Sequence, residues 1–151
     1  MKLYNNRPSP YGRKVLIAAH EKSLMKRITL FQIDPWSDPS ALLAVTPIGK
    51  VPALVTDDGE VITDSTIISE YFDAVGHGPA LIGADRFEVM ARVALMQGLT
   101  DAAFAIVIER RRPAERRWDD WVSRQHRAIA RTLAAWLDEV GRRPSMQVTA
   151  P

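Results

Sequence analysis

Along the first half of the chain, the spacing of hydrophobic and polar positions changes period several times, and each change marks an element. Residues 2–5 and 28–33 are short apolar-rich runs that predict strands; the second sets Ile28, Leu30 and Gln32 against Thr29, Phe31 and Ile33. Between them Ser9-Pro10 has the form of an N-cap followed by proline at the first helical position. Val15, Leu16, Ala18, Ala19 and Leu24 supply the apolar stripe of the helix that follows. The three together predict a β-α-β unit. Asp38-Pro39 then opens a short helical stretch, and residues 51–56 and 60–63 read as strands joined by Asp57-Asp58-Gly59, whose Asp-Gly pair marks an antiparallel hairpin. Asp64-Ser65 caps a further helix carrying Ile67, Ile68, Tyr71 and Phe72 on one stripe.

The pattern changes character at Gly76-His77-Gly78-Pro79, the best domain boundary. Beyond it, residues 85 to about 112 and 114 to about 140 carry long helical patterns separated by Pro113, expected to pack as an antiparallel pair. The first holds Phe87, Met90, Ala91, Ala94, Leu95, Leu99, Ala102 and Ala103. The second holds Trp118, Trp121, Val122, Ile129, Leu133, Trp136 and Leu137. From Gly141 onward neither period persists, and the string reads as an irregular tail. The expected division is therefore 1–76, a linker at 77–85, a helical segment at 86–141 and a tail at 142–151.

Composition narrows the chemistry. With 46% hydrophobic and 25% charged residues in 151, the chain is an ordinary globular one, not a disordered one. A net charge of +2 is too small to make nucleic acid the default partner. The absence of cysteine removes disulfides, Cys-based zinc sites and thiolate nucleophiles, so any sulfur chemistry must use a ligand's sulfur. His20, His77 and His126 show no metal-ligand spacing, and no metal is predicted. Met1-Lys2-Leu3-Tyr4 lacks a signal-peptide pattern, and the longest uninterrupted apolar run, residues 102–108, is far below the roughly 18 residues a membrane span needs. A soluble, cytoplasmic protein is expected. Arg110-Arg111-Arg112 with Arg116-Arg117 straddle a helix-helix turn and read as a solvated corner rather than an anion site. Trp118, Trp121 and Trp136 read as core and interface residues, and Tyr4 as a packing residue of the first strand.

Three short segments carry the candidate chemistry. Ser9-Pro10-Tyr11-Gly12-Arg13-Lys14-Val15 lies at a strand-to-helix turn, Thr46-Pro47-Ile48-Gly49-Lys50-Val51-Pro52-Ala53-Leu54 enters a strand through a proline, and Asp64-Ser65 starts a helix. A residue before proline is held extended, and a proline opening a strand leaves a main-chain edge with which a ligand can pair. At Asp64-Ser65 the free amides and positive dipole end of a helix favour an anion such as a carboxylate. Each segment also has a plainer reading. Ser9 and the Asp64-Ser65 pair can serve only as caps, Val51-Pro52 can be an ordinary edge-strand turn, and Lys50 can be a solvated lysine.

In this order and topology the segments resemble the N-terminal, thioredoxin-like domain of glutathione transferases of the serine type, and the helical second half resembles the start of that family's C-terminal domain. The resemblance covers about residues 1–140. It implies an α/β thioredoxin-like domain followed by an all-α domain, with glutathione as co-substrate. It further implies that Val51, before a cis Pro52, offers its backbone to the cysteinyl part of glutathione. Ser65 and the helix amides would hold the γ-glutamyl carboxylate, with Asp64 near its amino group, and Lys50 would meet the glycine carboxylate. Ser9 would donate a hydrogen bond to the glutathione sulfur and so favour the thiolate, lowering a thiol pKa of about 8.5 toward neutrality. The thiolate would attack a small electrophile held between the Asn6-Arg7-Pro8 loop and the first long helix. With no cysteine in the chain, dithiol exchange is excluded.

Family members of this kind continue through several more helices, so the resemblance implies an incomplete C-terminal domain. Weak activity and self-association, such as a homodimer covering the exposed apolar faces, are the expectations. The alternative is a non-catalytic, transferase-like binding or assembly module.

Overall fold

The computed structural model describes residues 1–142 and divides into two compact units, Met1–Val89 and a second beginning at Met90. The first unit contains β1 (Lys2–Asn5), α1 (Pro10–Glu21), β2 (Thr29–Gln32), α2 (Ser40–Leu43), β3 (Ala53–Val55), β4 (Val61–Thr63) and α3 (Ser65–Val75). The strands form one sheet in the order β2-β1-β3-β4. β1 and β2 are parallel, with Lys2 opposite Thr29 and Asn5 opposite Gln32, while β3 runs antiparallel to β1 and β4 antiparallel to β3. Thus α1 is the crossover of a β-α-β unit and β3-β4 is a hairpin.

Local chemistry sets these elements. Ser9 is extended, at φ −67° and ψ 121°, and its hydroxyl accepts from the Gly12 amide at 3.1 Å, while Pro10 opens α1. Gly59 turns the hairpin at φ +89°, a left-handed conformation that glycine adopts without strain. Asp64 N-caps α3, its carboxylate accepting from Thr66 N at 2.7 Å and Ile67 N at 3.3 Å. α1 and α3 cover one sheet face, where Leu3, Val15, Ala19, Leu24, Leu54, Ile68 and Phe72 are all fully buried. At about 1.5–3 kcal/mol for each large side chain removed from water, this cluster is the main favourable term holding the unit together.

Two details differ from the expectation. The alternation expected over 28–33 does not separate a buried from an exposed face, because β2 is an edge strand and its four residues are all exposed; Phe31 instead stacks on Tyr4 with ring centroids 5.0 Å apart. The short helix starts at Ser40 rather than at Asp38. Asp38 is left-handed, at φ 45°, and ends a preceding turn at Pro35–Ser37, so Pro39 is the residue that caps α2.

The second unit is built from α4, which spans Arg86–Arg110 and begins just before the unit does, and α5 (Asp119–Arg142). Arg92 near the start of α4 pairs with Glu139 near the end of α5 at 2.7 Å, and Glu109 near the end of α4 accepts from Trp118 N beside the start of α5 at 3.0 Å. The two helices are therefore antiparallel. α5 begins at Asp119, five positions later than the expected Ala114. Ala114–Arg116 form only a tight turn and Arg117 is extended. The Arg117 guanidinium donates to the carbonyls of Arg110 and Arg112, each at 3.0 Å, so part of the arginine cluster closes the carbonyl end of α4. Trp118 is stacked on Trp121 but 63% exposed, so it is not the core residue expected.

α5 continues through Arg142, past the expected break at Gly141; the remainder of the expected tail lies outside the described residues. Among the described residues α4 alone is long and apolar enough, by length and composition, to cross a membrane. Interrupting polar residues hid this from a search for uninterrupted apolar runs. Its paired Arg92 and its buried Glu109, which also meets Arg112 at 3.2 Å, tie α4 to α5 and to the turn between them.

Candidate functional site

The strand register brings the three candidate segments to one end of the sheet. Ala53 opens β3 opposite Tyr4 near the end of β1, and opposite Thr63, the last residue of β4. The chain leaving β1 therefore turns into α1, the chain entering β3 passes through Val51-Pro52, and the chain leaving β4 passes into Asp64-Ser65, all at the same edge. The turn after β1 is closed by Ser9 N donating to Asn6 O at 2.9 Å. Lys14 on α1 donates to Thr66 Oγ1 on the first turn of α3 at 2.7 Å, so the helix capped by Ser9 and the helix capped by Asp64 are joined directly.

Within this site the candidate residues differ in exposure. Ser9 is half-buried, Val51 half-buried and Pro52 buried, and the Val51-Pro52 peptide bond is cis. Asp64 is exposed and has a positive φ, 70° with ψ 129°. A non-glycine residue there is uncommon, and aspartate is one of the few that tolerate it. Ser65 is 3% exposed, and its hydroxyl has no hydrogen-bond partner among the described residues. A buried polar atom left unpaired costs about 1–3 kcal/mol, so this hydroxyl at the amide end of α3 is a group that the described fold leaves unsatisfied. Lys50 is exposed on the loop before Val51, and no ion pair of it occurs among the described residues.

Two neighbours of the site carry no sequence signal. Asn5, 1% exposed at the end of β1, also has an unpaired buried oxygen, and its side chain lies so close to the first turn of α1 that a methyl group on Gly12 would sit 1.6 Å from Asn5 Oδ1. Only glycine fits there. The Lys14–Thr66 link is the other; it joins residues 52 positions apart, which no local pattern announces.

Comparison with known proteins places this geometry. A family model of the glutathione S-transferase N-terminal domain matches residues 8–75, the span from the turn before α1 to the end of α3. A GST-like protein of Escherichia coli K12, YibF, itself uncharacterised, is 37% identical over 138 residues, covering 88% of this chain and 66% of that protein. Glutathione S-transferase 2 of Saccharomyces cerevisiae is 34% identical over 91 residues, covering 58% of this chain and 39% of that protein. Among solved structures, a glutathione transferase family member from Pseudomonas fluorescens Pf-5 with bound glutathione superposes with a TM-score of 0.81 at 36% identity, covering 88% of this chain and 68% of that one. A glutathione S-transferase of Methylobacillus flagellatus with glutathione bound gives 0.82 at 34% identity, covering 89% and 67%. The chain belongs to the glutathione S-transferase family. Its fold is a thioredoxin-like N-terminal domain followed by an all-helical C-terminal domain, and it spans less than two thirds of the length of the curated relatives named here.

Proposed function

We propose that this chain binds glutathione at the sheet end where β1, β3 and β4 converge, and presents it as a thiolate to a small electrophile. The observation that carries the reading is Ser65: a buried hydroxyl without a partner among the described residues, at the amide end of α3. Asp64 already takes the amides of Thr66 and Ile67, so Ser65 is the group left to meet the γ-glutamyl carboxylate, with Asp64 near the amino group. Val51, held extended before Pro52, pairs its backbone with the cysteinyl residue, and exposed Lys50 meets the glycine carboxylate. The bound glutathione seen in the Pseudomonas and Methylobacillus relatives supports this assignment.

Ser9 supplies the chemistry. Its oxygen accepts from Gly12 N, which leaves the hydroxyl proton available for the ligand sulfur; that hydrogen bond favours the thiolate after its proton passes to solvent. The sulfur lone pair then forms the new S–C bond, and the leaving group departs with its electrons. A cytoplasmic setting, where glutathione is kept reduced, fits this role. The same Ser9–Gly12 bond favours the second reading, a non-catalytic binding or assembly module in which Ser9 is a cap and nothing more. We also assign the domain division to the linker at 77–85. Self-association belongs to the proposal as well, because Val107, Leu133 and Leu137 on the two long helices are 48%, 44% and 69% exposed.

Isothermal calorimetry with glutathione tests the binding site. Ser65→Ala is expected to weaken binding by about 1–3 kcal/mol, the value of a hydrogen bond to a charged group. Equal affinity in the wild type and Ser65→Ala overturns the assignment.

A further inference from the structure

We infer that Asn5 is a positioning residue for Ser9: its buried side-chain oxygen lies against Gly12 and so sets the amide that holds the Ser9 hydroxyl. This deepens the thiolate reading above and rests on it. Both members of the contact break a local rule. Asn5 is 1% exposed, and its Oδ1 has no hydrogen-bond partner among the described residues, although a buried carbonyl left unpaired costs stability. Gly12 stands in the first turn of α1, where glycine is a weaker helix former than alanine. The two costs have one cause. A Cβ on Gly12 would lie 1.6 Å from Asn5 Oδ1, 2.6 Å from its Cγ and 3.0 Å from its Nδ2, so the oxygen is the atom aimed at the turn and the glycine is what admits it. There it meets a Cα–H, a weak donor. An apolar side chain would fill the same space without stranding an oxygen, and local rules broken at one contact point to a functional constraint rather than to packing.

Gly12 is the residue on which the Ser9 hydroxyl depends. Its amide donates to Ser9 Oγ at 3.1 Å. A hydroxyl has one proton and two acceptor positions, so the Gly12 amide, by taking one of these, restricts the directions left for the proton. Asn5 can fix that amide because it ends a strand rather than lying in a loop: it stands opposite Gln32, and its own carbonyl accepts from Ile33 N at 2.8 Å. The carbonyl of the next residue, Asn6, accepts from Ser9 N at 2.9 Å. The turn that carries Ser9 is thus tied to the end of β1 at two points, through the main chain before Ser9 and through the Asn5 side chain after it. Without the second tie, the first turn of α1 and the hydroxyl it holds can shift against the sheet end. A misplacement of about 1 Å is enough to spoil a catalytic contact.

The test titrates the thiolate absorbance of bound glutathione on the wild type, Asn5→Ala and the double variant Asn5→Ala/Gly12→Ala. Gly12→Ala alone is not needed, because its methyl would collide with Asn5. In the double variant that methyl has room: the three atoms nearest to it, Oδ1, Cγ and Nδ2 of Asn5, are all removed by truncation to alanine. Asn5→Ala is expected to raise the pKa of the bound thiol by about half a unit, roughly a threefold loss of thiolate at neutral pH. The double variant is expected to return most of that shift, since the new methyl takes the place of the oxygen as a spacer between β1 and α1. A loss of stability in Asn5→Ala with the thiol pKa unmoved makes the contact packing alone. A pKa that stays raised in the double variant means that the oxygen acts on the ligand directly and not through Gly12. Either result overturns this inference and leaves the thiolate reading standing if Ser9→Ala still raises the pKa. A wild-type protein whose bound thiol titrates like a free one, near about 8.5, overturns both together.

Discussion

Lys22 and Asp73 form a buried ion pair at 3.0 Å, their side chains 3% and 13% exposed, which ties the end of α1 to α3. The pair is saturated on both sides. Lys22 Nζ also donates to the carbonyls of Gly78 at 3.3 Å and Pro79 at 2.9 Å, and Asp73 accepts from the amides of Leu81 at 2.9 Å and Ile82 at 3.1 Å. The segment following α3 is thereby folded back on the N-terminal domain through charge-assisted hydrogen bonds, in a stretch where Gly and Pro give the chain no regular structure of its own.

Removing the anion should cost more than removing the cation. Asp73→Ala leaves an ammonium buried with only carbonyl partners and frees two amides, and is expected to lower unfolding free energy by about 3 kcal/mol. Lys22→Met leaves Asp73 with both amide partners and should cost about 1–2 kcal/mol. Urea unfolding of the two variants decides it, and the reverse order would contradict the arrangement described.

The same pair predicts an acid limb. Burial raises the Asp73 carboxyl, but the amides of Leu81 and Ile82 and the Lys22 ammonium outweigh it and hold the group below the ordinary aspartate range. A carboxyl whose folded pKa is depressed contributes stability that is complete above the unfolded value and is lost as pH falls through the folded one. Unfolding midpoints should therefore fall below about pH 4 in the wild type. In Asp73→Asn this part of the fall should vanish, while Asp57, also lowered by its bonds to the Met1 ammonium and Arg27, leaves a residual slope.

The elements of the first domain were legible because their signals are local. Ser9-Pro10 opens α1, Asp57-Asp58-Gly59 turns the hairpin, Asp64 caps α3, and each acts within a few residues of its own position. Their meeting at one end of the sheet was not legible from spacing and came only through the family resemblance, since it depends on strand register, which is set by pairing across 27 to 53 positions. The start of α5 was misplaced for a related reason. Ala114-Glu115-Arg116 have good helical propensity, but Trp118 N is taken by Glu109 and Arg117 is drawn to the carbonyls of α4, so tertiary partners delay the helix to Asp119.

Glycine substitutions should separate close approach from mere flexibility. A methyl group at Gly76 would lie 2.5 Å from Lys22 Cβ, 2.7 Å from Lys22 O and 2.8 Å from Phe72 O, two of them backbone atoms. Gly76→Ala is expected to destabilise by about 1–3 kcal/mol. At Gly98, inside α4, nothing lies within 4 Å, and Gly98→Ala should instead stabilise by about 0.5–1 kcal/mol, since alanine loses less backbone entropy in a helix. Thermal melts of the two variants should move in opposite directions.

Ser9 has two roles that one substitution separates. As a cap its oxygen accepts from Gly12 N, so Ser9→Ala should lower stability by about 1 kcal/mol whatever the protein binds. As an activator its proton goes to the ligand sulfur. Ser9→Ala should then leave glutathione affinity nearly unchanged at a pH where the bound thiol is protonated, yet raise that thiol's pKa by about one unit, the equivalent of about 1.4 kcal/mol of lost thiolate stabilisation. Titrating the ultraviolet absorbance of bound thiolate reads the second effect and denaturant unfolding the first. Ser9→Thr keeps a hydroxyl for both roles and should restore both values. If Ser9→Ala loses stability while the thiol pKa stays where it was, Ser9 is a cap alone, and the non-catalytic reading of the site replaces the transferase one.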